Sequence, residues 1–203
     1  MARTSTEIRR RPGRPRRPTT DDAITRAALD LLAERGFQAA TIEAIAERAG
    51  VGRNTIYRRW RSKEELIADA LRELTTDVDW GADDLYSLLL TWLRDFARTF
   101  SDPLQGRLLA GVLGELQQNP VFADVYADRV VRPRREALLA RLVEARERGE
   151  LRQDADVELV ADLLGGALLL RRLPLGLPAA GENYAEELLE TIWRGIAPQS
   201  ASS

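Results

Sequence analysis

The stretch AGVGRNTIYRRW runs from Ala49 to Trp60. It holds a valine between two glycines, then three arginines and two aromatics in eight residues, in a chain of net charge −2. Two short helices joined by a tight glycine-bearing turn make a helix-turn-helix. Ile42, Ile45, Ala46 and Ala49 repeat at helical spacing behind the cap Thr41, and Gly50 suits the left-handed position that closes that helix. Val51 plugs the turn, and a further helix is predicted over about Arg53–Arg59. Ile56 and Trp60 are four apart, so they share a face and should pack inward. Arg53, Asn54, Tyr57 and Arg58 then point elsewhere.

Such an exposed face suits DNA. A helix of this kind sets its N-terminal residues against base edges in the major groove. Arg53 can pair with guanine and Asn54 with adenine, whereas Arg58, Arg59 and Lys63 suit phosphates, which fix register. Tyr57 has a second reading as a core aromatic, because it lies three residues from Trp60. Arg59 and Arg61 have one as solvated surface. Lys63 at a helix start opposes the helix dipole, which a bound anion at that N-terminus would explain.

Outward from this segment the pattern stays helical. Thr19, Thr20 or Asp21 can cap a first helix carrying Ile24, Ala27, Ala28, Leu31 and Leu32, ended by Gly36. Ser62 and Glu65 read as a capping box for a fourth helix, with Leu66, Ile67, Ala70, Leu71 and Leu74 as its apolar stripe. After the polar break Thr76–Asp84 come long helices: about Asp84–Phe100, Pro103–Asn119, Val121–Arg148 with Pro133 as a kink, Val157–Leu173 and Ala180–Ile196. No strand pair is evident. The fold class is all-α, with about nine helices in two parts. Residues 1–18 read as a disordered basic arm, 19–75 as a three-helix DNA-binding domain with a helix-turn-helix, and 76–198 as a second helical domain.

Composition supports this division. Through Thr75 there are sixteen Lys/Arg against eleven Asp/Glu, and afterwards fourteen against twenty-one, so a basic front precedes an acidic back. The chain has no cysteine and no histidine, which excludes disulfides, thiolate or imidazole metal sites and histidine-assisted nucleophiles. No catalytic constellation is visible, so an enzyme is not expected, nor a metal or cofactor. No apolar run approaches the roughly 18 residues of a membrane span. Arg9–Pro18 lacks the apolar segment of an export signal. A cytoplasmic, nucleoid-associated location is expected.

The segment Thr41–Leu71, TIEAIAERAGVGRNTIYRRWRSKEELIADAL, closely resembles the DNA-binding domain of TetR-type transcriptional regulators. The resemblance is strong over about Thr20–Leu74; downstream it extends only to helix number and length. It implies that Arg53, Asn54 and Tyr57 approach bases and that Thr41, Thr55, Arg58, Arg59 and Lys63 lie on phosphates. It also implies a C-terminal domain that dimerises and senses a small molecule. The last two helices would form the interface of a homodimer, with Leu163, Gly166, Leu170 and Ile192 as contacts. Its two reading heads would stand about one DNA turn apart, roughly 34–36 Å, or somewhat further. Trp92, Phe96, Leu109, Leu113, Gln117, Phe122 and Tyr126 are candidates for a pocket around an apolar organic effector, or simply for core. Gly106, Gly111 and Gly114 on one helix leave room for a ligand or a crossing helix.

The arm holds Gly-Arg-Pro, which resembles an AT-hook core. Arg14, Arg16 and Arg17 can enter a minor groove or act as an unspecific electrostatic tail. The expected partners are an operator in double-stranded DNA, a second copy of the chain and the effector, with no membrane. The expected function is a sequence-specific regulator, a repressor released by its ligand. The alternative is a ligand-independent architectural DNA binder.

Overall fold

A computed structural model describes residues 19–74, 84–101, 103–172 and 183–198. The basic arm with Arg14, Arg16 and Arg17, the 76–83 part of the polar break and the turn beyond Arg172 lie outside the described residues. Those described form ten α-helical segments and one π-helical turn, and among them there is no strand.

The head begins with α1, Thr20–Ala39. Of the three candidate caps the chain uses Thr19. Its hydroxyl accepts from Asp22 N at 3.2 Å, while the Asp22 carboxylate accepts from Thr19 N at 2.8 Å. Gly36, at φ 78°, breaks the helical path and turns Phe37 into the core. Helix α2, Ile42–Ala49, is capped by Thr41 and closed by Gly50 at φ 66°. Gly50 N–H returns to Glu47 O and Val51 N–H to Ala46 O, the paired bonds of a Schellman closure.

Helix α3, Arg53–Tyr57, is shorter than predicted. At its end Arg59 N–H and Trp60 N–H both bond Ile56 O, three and four residues back, so the last turn closes on one shared carbonyl. Helix α4, Lys63–Glu73, starts from Ser62, whose hydroxyl accepts from Glu65 N at 3.2 Å. The Glu65 carboxylate reaches one residue further back than a capping box requires, to Arg61 N at 2.9 Å.

The remainder comprises α5 (Leu85–Ser101), α6 (Pro103–Gln118), α7 (Pro120–Tyr126), α8 (Arg132–Glu147), α9 (Val157–Arg172) and α10 (Tyr184–Ile196). Helices α7 and α8 continue one another through the π turn Ala127–Val131, so the ten segments make nine rods. The expected kink at Pro133 takes this form. Proline has no N–H to give residue 129 and its ring crowds that carbonyl. The turn before it widens, and Arg132 N–H bonds Ala127 O five residues back.

Two apolar cores result. One fills α5, α8, α9 and α10 around Leu88, Leu89, Leu93, Leu142 and Leu164. The other is centred in the head, on Ile24, Ile45, Ile56, Leu66 and Ile67, and continues into Leu108 and Val112 of α6, Phe122 of α7 and Val130 of the π turn. The head therefore rests directly on α6 and α7. Phe122 is the pin of this seam. It is fully buried, with its ring centroid 4.4 Å from that of Phe37, and burial of a side chain this size stabilises by roughly 1.5–3 kcal/mol.

Candidate nucleic-acid interface and adjoining cavity

Helix α3 divides as its spacing predicts. Ile56 is fully buried and Trp60 is 7% exposed, while Tyr57 is 52% exposed. Tyr57 is therefore a surface aromatic, and its reading as core falls away. Arg53, Asn54 and Arg58 are exposed beside it. Arg53 makes a 3.2 Å ion pair with Glu43 of α2. The Glu43 carboxyl is held below the usual carboxylate range by its own backbone N–H and by Arg53. Both partners are solvent-screened, so the pair opens readily to free the guanidinium. Among the described residues, Asn54 and Arg58 make no side-chain hydrogen bond or ion pair, and their donors face water.

The flanking candidates have structural duties as well. The Thr41 hydroxyl accepts from Ala44 N at 3.2 Å and is spent partly as a cap. Thr55 is half-buried on α3. Arg59 is paired with Asp21 of α1 and donates to Thr55 O at 3.2 Å, which ties the end of α3 to the start of α1. Lys63 donates to Phe37 O at 3.0 Å and lies 4.1 Å from the centre of the Phe37 ring. That bond takes one of the three ammonium donors, so a phosphate contact is compatible with it.

Behind the head lies a cavity of about 590 Å³, walled by α4 to α9 and the π turn. That volume is within the usual range for small-molecule sites. Of the pocket candidates, Trp92, Phe96, Leu109, Leu113 and Tyr126 line it, with Leu116. Trp92 and Phe96 stack at 5.2 Å with 8° between their planes, giving a flat aromatic wall. Burial pushes the Tyr126 hydroxyl above its ordinary pKa, so at neutral pH it is a protonated donor. Two candidates are not on the wall. Phe122 is taken up by the seam with Phe37, and Gln117 lies on the solvent side of α6.

Gly111 and Gly114 also face outward with open space at the Cβ position, so they do not make the room. It is Gly165 and Gly166 of α9 that line the cavity, and a Cβ on Gly165 would sit 4.0 Å from Trp92 Cη2. On its outer side α9 carries the exposed Leu159, Leu163 and Leu170, with Gly166 at the border between that stripe and the cavity, and Ile192 of α10 is half-buried.

Sequence reasoning missed the polar rim. Gln105, Arg134, Arg135 and Asp162 also line the cavity. Arg135 joins α8 to α9 through Asp162 at 3.2 Å and Glu158 at 3.3 Å. It also missed Arg129 of the π turn, which pairs with Asp69 at 2.9 Å and Glu65 at 3.1 Å on α4. The same Asp69 oxygen accepts from Trp60 Nε1 at 2.9 Å. Nothing in the local sequence marks Arg129 among so many arginines; only the partners sixty residues away do.

Comparison with known proteins accounts for both parts. Residues 24–70 match the family described as "Bacterial regulatory proteins, tetR family", and residues 82–192 match "Tetracyclin repressor-like, C-terminal domain". The HTH-type transcriptional regulator YdeS of Bacillus subtilis is 34% identical, over 94% of this chain and 96% of that one. A DNA-binding transcriptional repressor, TetR, of Mycobacteroides abscessus is 27% identical, over 79% of this chain and 85% of that one. The solved structure of the flavonoid-responsive regulator FrrA superposes with a TM-score of 0.66 at 26% identity, covering 89% of this chain and 98% of that one.

Proposed function

The chain belongs to the TetR family of transcriptional regulators, a family of DNA-binding proteins and not of enzymes, and on that premise we propose that it is a dimeric repressor released by a small apolar organic ligand. The observation that carries this reading is the cavity's position. Leu71 and Leu74 of α4, the helix that ends the head, form part of its wall together with Trp92, Phe96 and Tyr126. A molecule filling that space presses on the element that sets where the heads stand.

In this reading Arg53, Asn54 and Tyr57 meet base edges. Thr41, Thr55, Arg58, Arg59 and Lys63 meet phosphates, and Arg14, Arg16 and Arg17 of the arm add minor-groove or backbone contacts. The stripe Leu163, Gly166 and Leu170, with Ile192, meets its copy on a second chain across a two-fold axis. The ligand is organic and mainly apolar, because aromatic and aliphatic side chains make most of the wall. Tyr126 supplies a donor to a polar group on it. That one relative is a repressor and one is flavonoid-responsive supports the direction of control and the ligand class.

The test is thermal unfolding of the protein with a panel of flat aromatic, steroid and long-chain acyl compounds, followed by DNA binding with each hit. A ligand at about 100 times its Kd should raise stability by roughly 2.7 kcal/mol and weaken operator binding. Stabilisation by a cavity-filling compound with DNA affinity unchanged would overturn ligand release. So would a panel that leaves both quantities unmoved.

A further inference from the structure

The π turn Ala127–Val131 faces two ways. Ala127, Val130 and Val131 belong to the cavity wall. Arg129, between them, points to the head and holds two carboxylates of α4, Asp69 at 2.9 Å and Glu65 at 3.1 Å. Each carboxylate also grips the segment that ends α3. Asp69 accepts from the Trp60 indole N–H at 2.9 Å, and Glu65 accepts from Arg61 N at 2.9 Å. Trp60 is 7% exposed and shares its buried face with Ile56 of α3.

We propose that Arg129 is a positioning residue that carries cavity occupancy to the recognition helix, by passing a movement of the π turn through Asp69 to Trp60 and through Glu65 to Arg61. The proposal rests on the ligand-responsive reading above and deepens it.

Three physical features favour this route. Charge-assisted bonds are short and directional, so they transmit displacement better than apolar contacts that slide. The contacts fall on the first two turns of α4, next to α3, whereas the cavity's direct contacts with α4, Leu71 and Leu74, lie at its far end. The π turn carries cavity wall at Ala127, Val130 and Val131 and the guanidinium of Arg129 on the same five residues, so a ligand that displaces that wall displaces Arg129 with it.

The chain has no cysteine, so the cavity can be filled covalently without knowing the ligand. Leu113→Cys puts a single thiol on the wall, and benzyl methanethiosulfonate attaches an apolar group there, with loading read by mass. The indole N–H resonance of Trp60, assigned by its loss in Trp60→Phe, is compared before and after loading. The expected result is a shift with native Arg129 that disappears in Arg129→Gln and in Asp69→Asn. Two variants on opposite sides of the contact guard against misfolding of either.

Binding to a duplex selected by the protein from random DNA is read in parallel. Loading should weaken it about tenfold with Arg129 present, within the usual range of allosteric coupling, and less than about twofold in Arg129→Gln. A Trp60 shift that persists in Arg129→Gln, or none in either background, overturns the relay. Loss of DNA affinity that is equal in both backgrounds leaves ligand release standing and removes Arg129 from it. An Arg129-dependent Trp60 shift with DNA affinity unmoved upholds the relay and overturns release.

Discussion

Arg53 and Arg58 sit on one short helix, and their surroundings separate their expected roles. Arg53 opens α3, the end that recognition helices set against base edges, and Glu43 holds it loosely. Arg53→Ala should cost about 1–3 kcal/mol and relax preference at one base pair. Quantitative binding to a set of single-substituted duplexes reads both effects. Arg58 stands at the helix end with its donors in water. Arg58→Ala should weaken binding by a similar factor on every sequence and reduce the salt slope by about one ion. An Arg58 effect confined to one base pair would exchange the two roles. The residue type and position of Lys63 suggest an anion; the Phe37 carbonyl, 26 residues away, takes one of its three ammonium donors and is compatible with a phosphate on the others.

Elements were readable where local chemistry decides them. Thr19, Thr41 and Ser62 each accept from the backbone N–H three residues on, and Gly36 and Gly50 take positive φ where helices stop or bend. Thr41→Ala should therefore lower stability by about 1 kcal/mol in denaturant unfolding, besides any loss in DNA binding. Thr41→Ser should restore the stability. The Asp22 carboxyl of the first cap is held below its ordinary value by Thr19 N–H. A depressed folded pKa stabilises above the unfolded value and loses that contribution as pH falls through the folded value. Stability should therefore fall more steeply with acid in the native chain than in Asp22→Asn, the native chain being the more stable near neutral pH and the difference shrinking as pH falls through the folded value.

Tertiary partners were not readable. Pro133 announced an interruption, but not a π turn with a cavity on one side and Arg129 on the other. Phe122 and Gln117 had the right residue types for a pocket. Phe122 was claimed by Phe37, and the helical phase of α6 turned Gln117 outward. The same phase turns Gly111 and Gly114 away from the space they seemed to provide.

For the whole molecule, the head shares a core with α6, α7 and the π turn, so the two parts are mechanically joined. The outer stripe of α9 stays apolar and uncovered in the single chain, an arrangement that exposed leucines favour resolving by self-association. Leu163→Arg should convert a dimer to a monomer by light scattering and lower the unfolding midpoint, because subunit binding no longer stabilises the fold. A chain that is monomeric before substitution would contradict the interface.

The central claim is that two copies read one site through α3. Fluorescence anisotropy on a duplex selected by the protein, against a scrambled duplex of equal length and across a salt series, tests it most directly. Two chains per site and at least about a thousandfold preference for the selected duplex are expected, with a preference that persists as salt rises. Equal affinity for both duplexes, falling steeply together with salt, would contradict it and leave only electrostatic attachment to DNA.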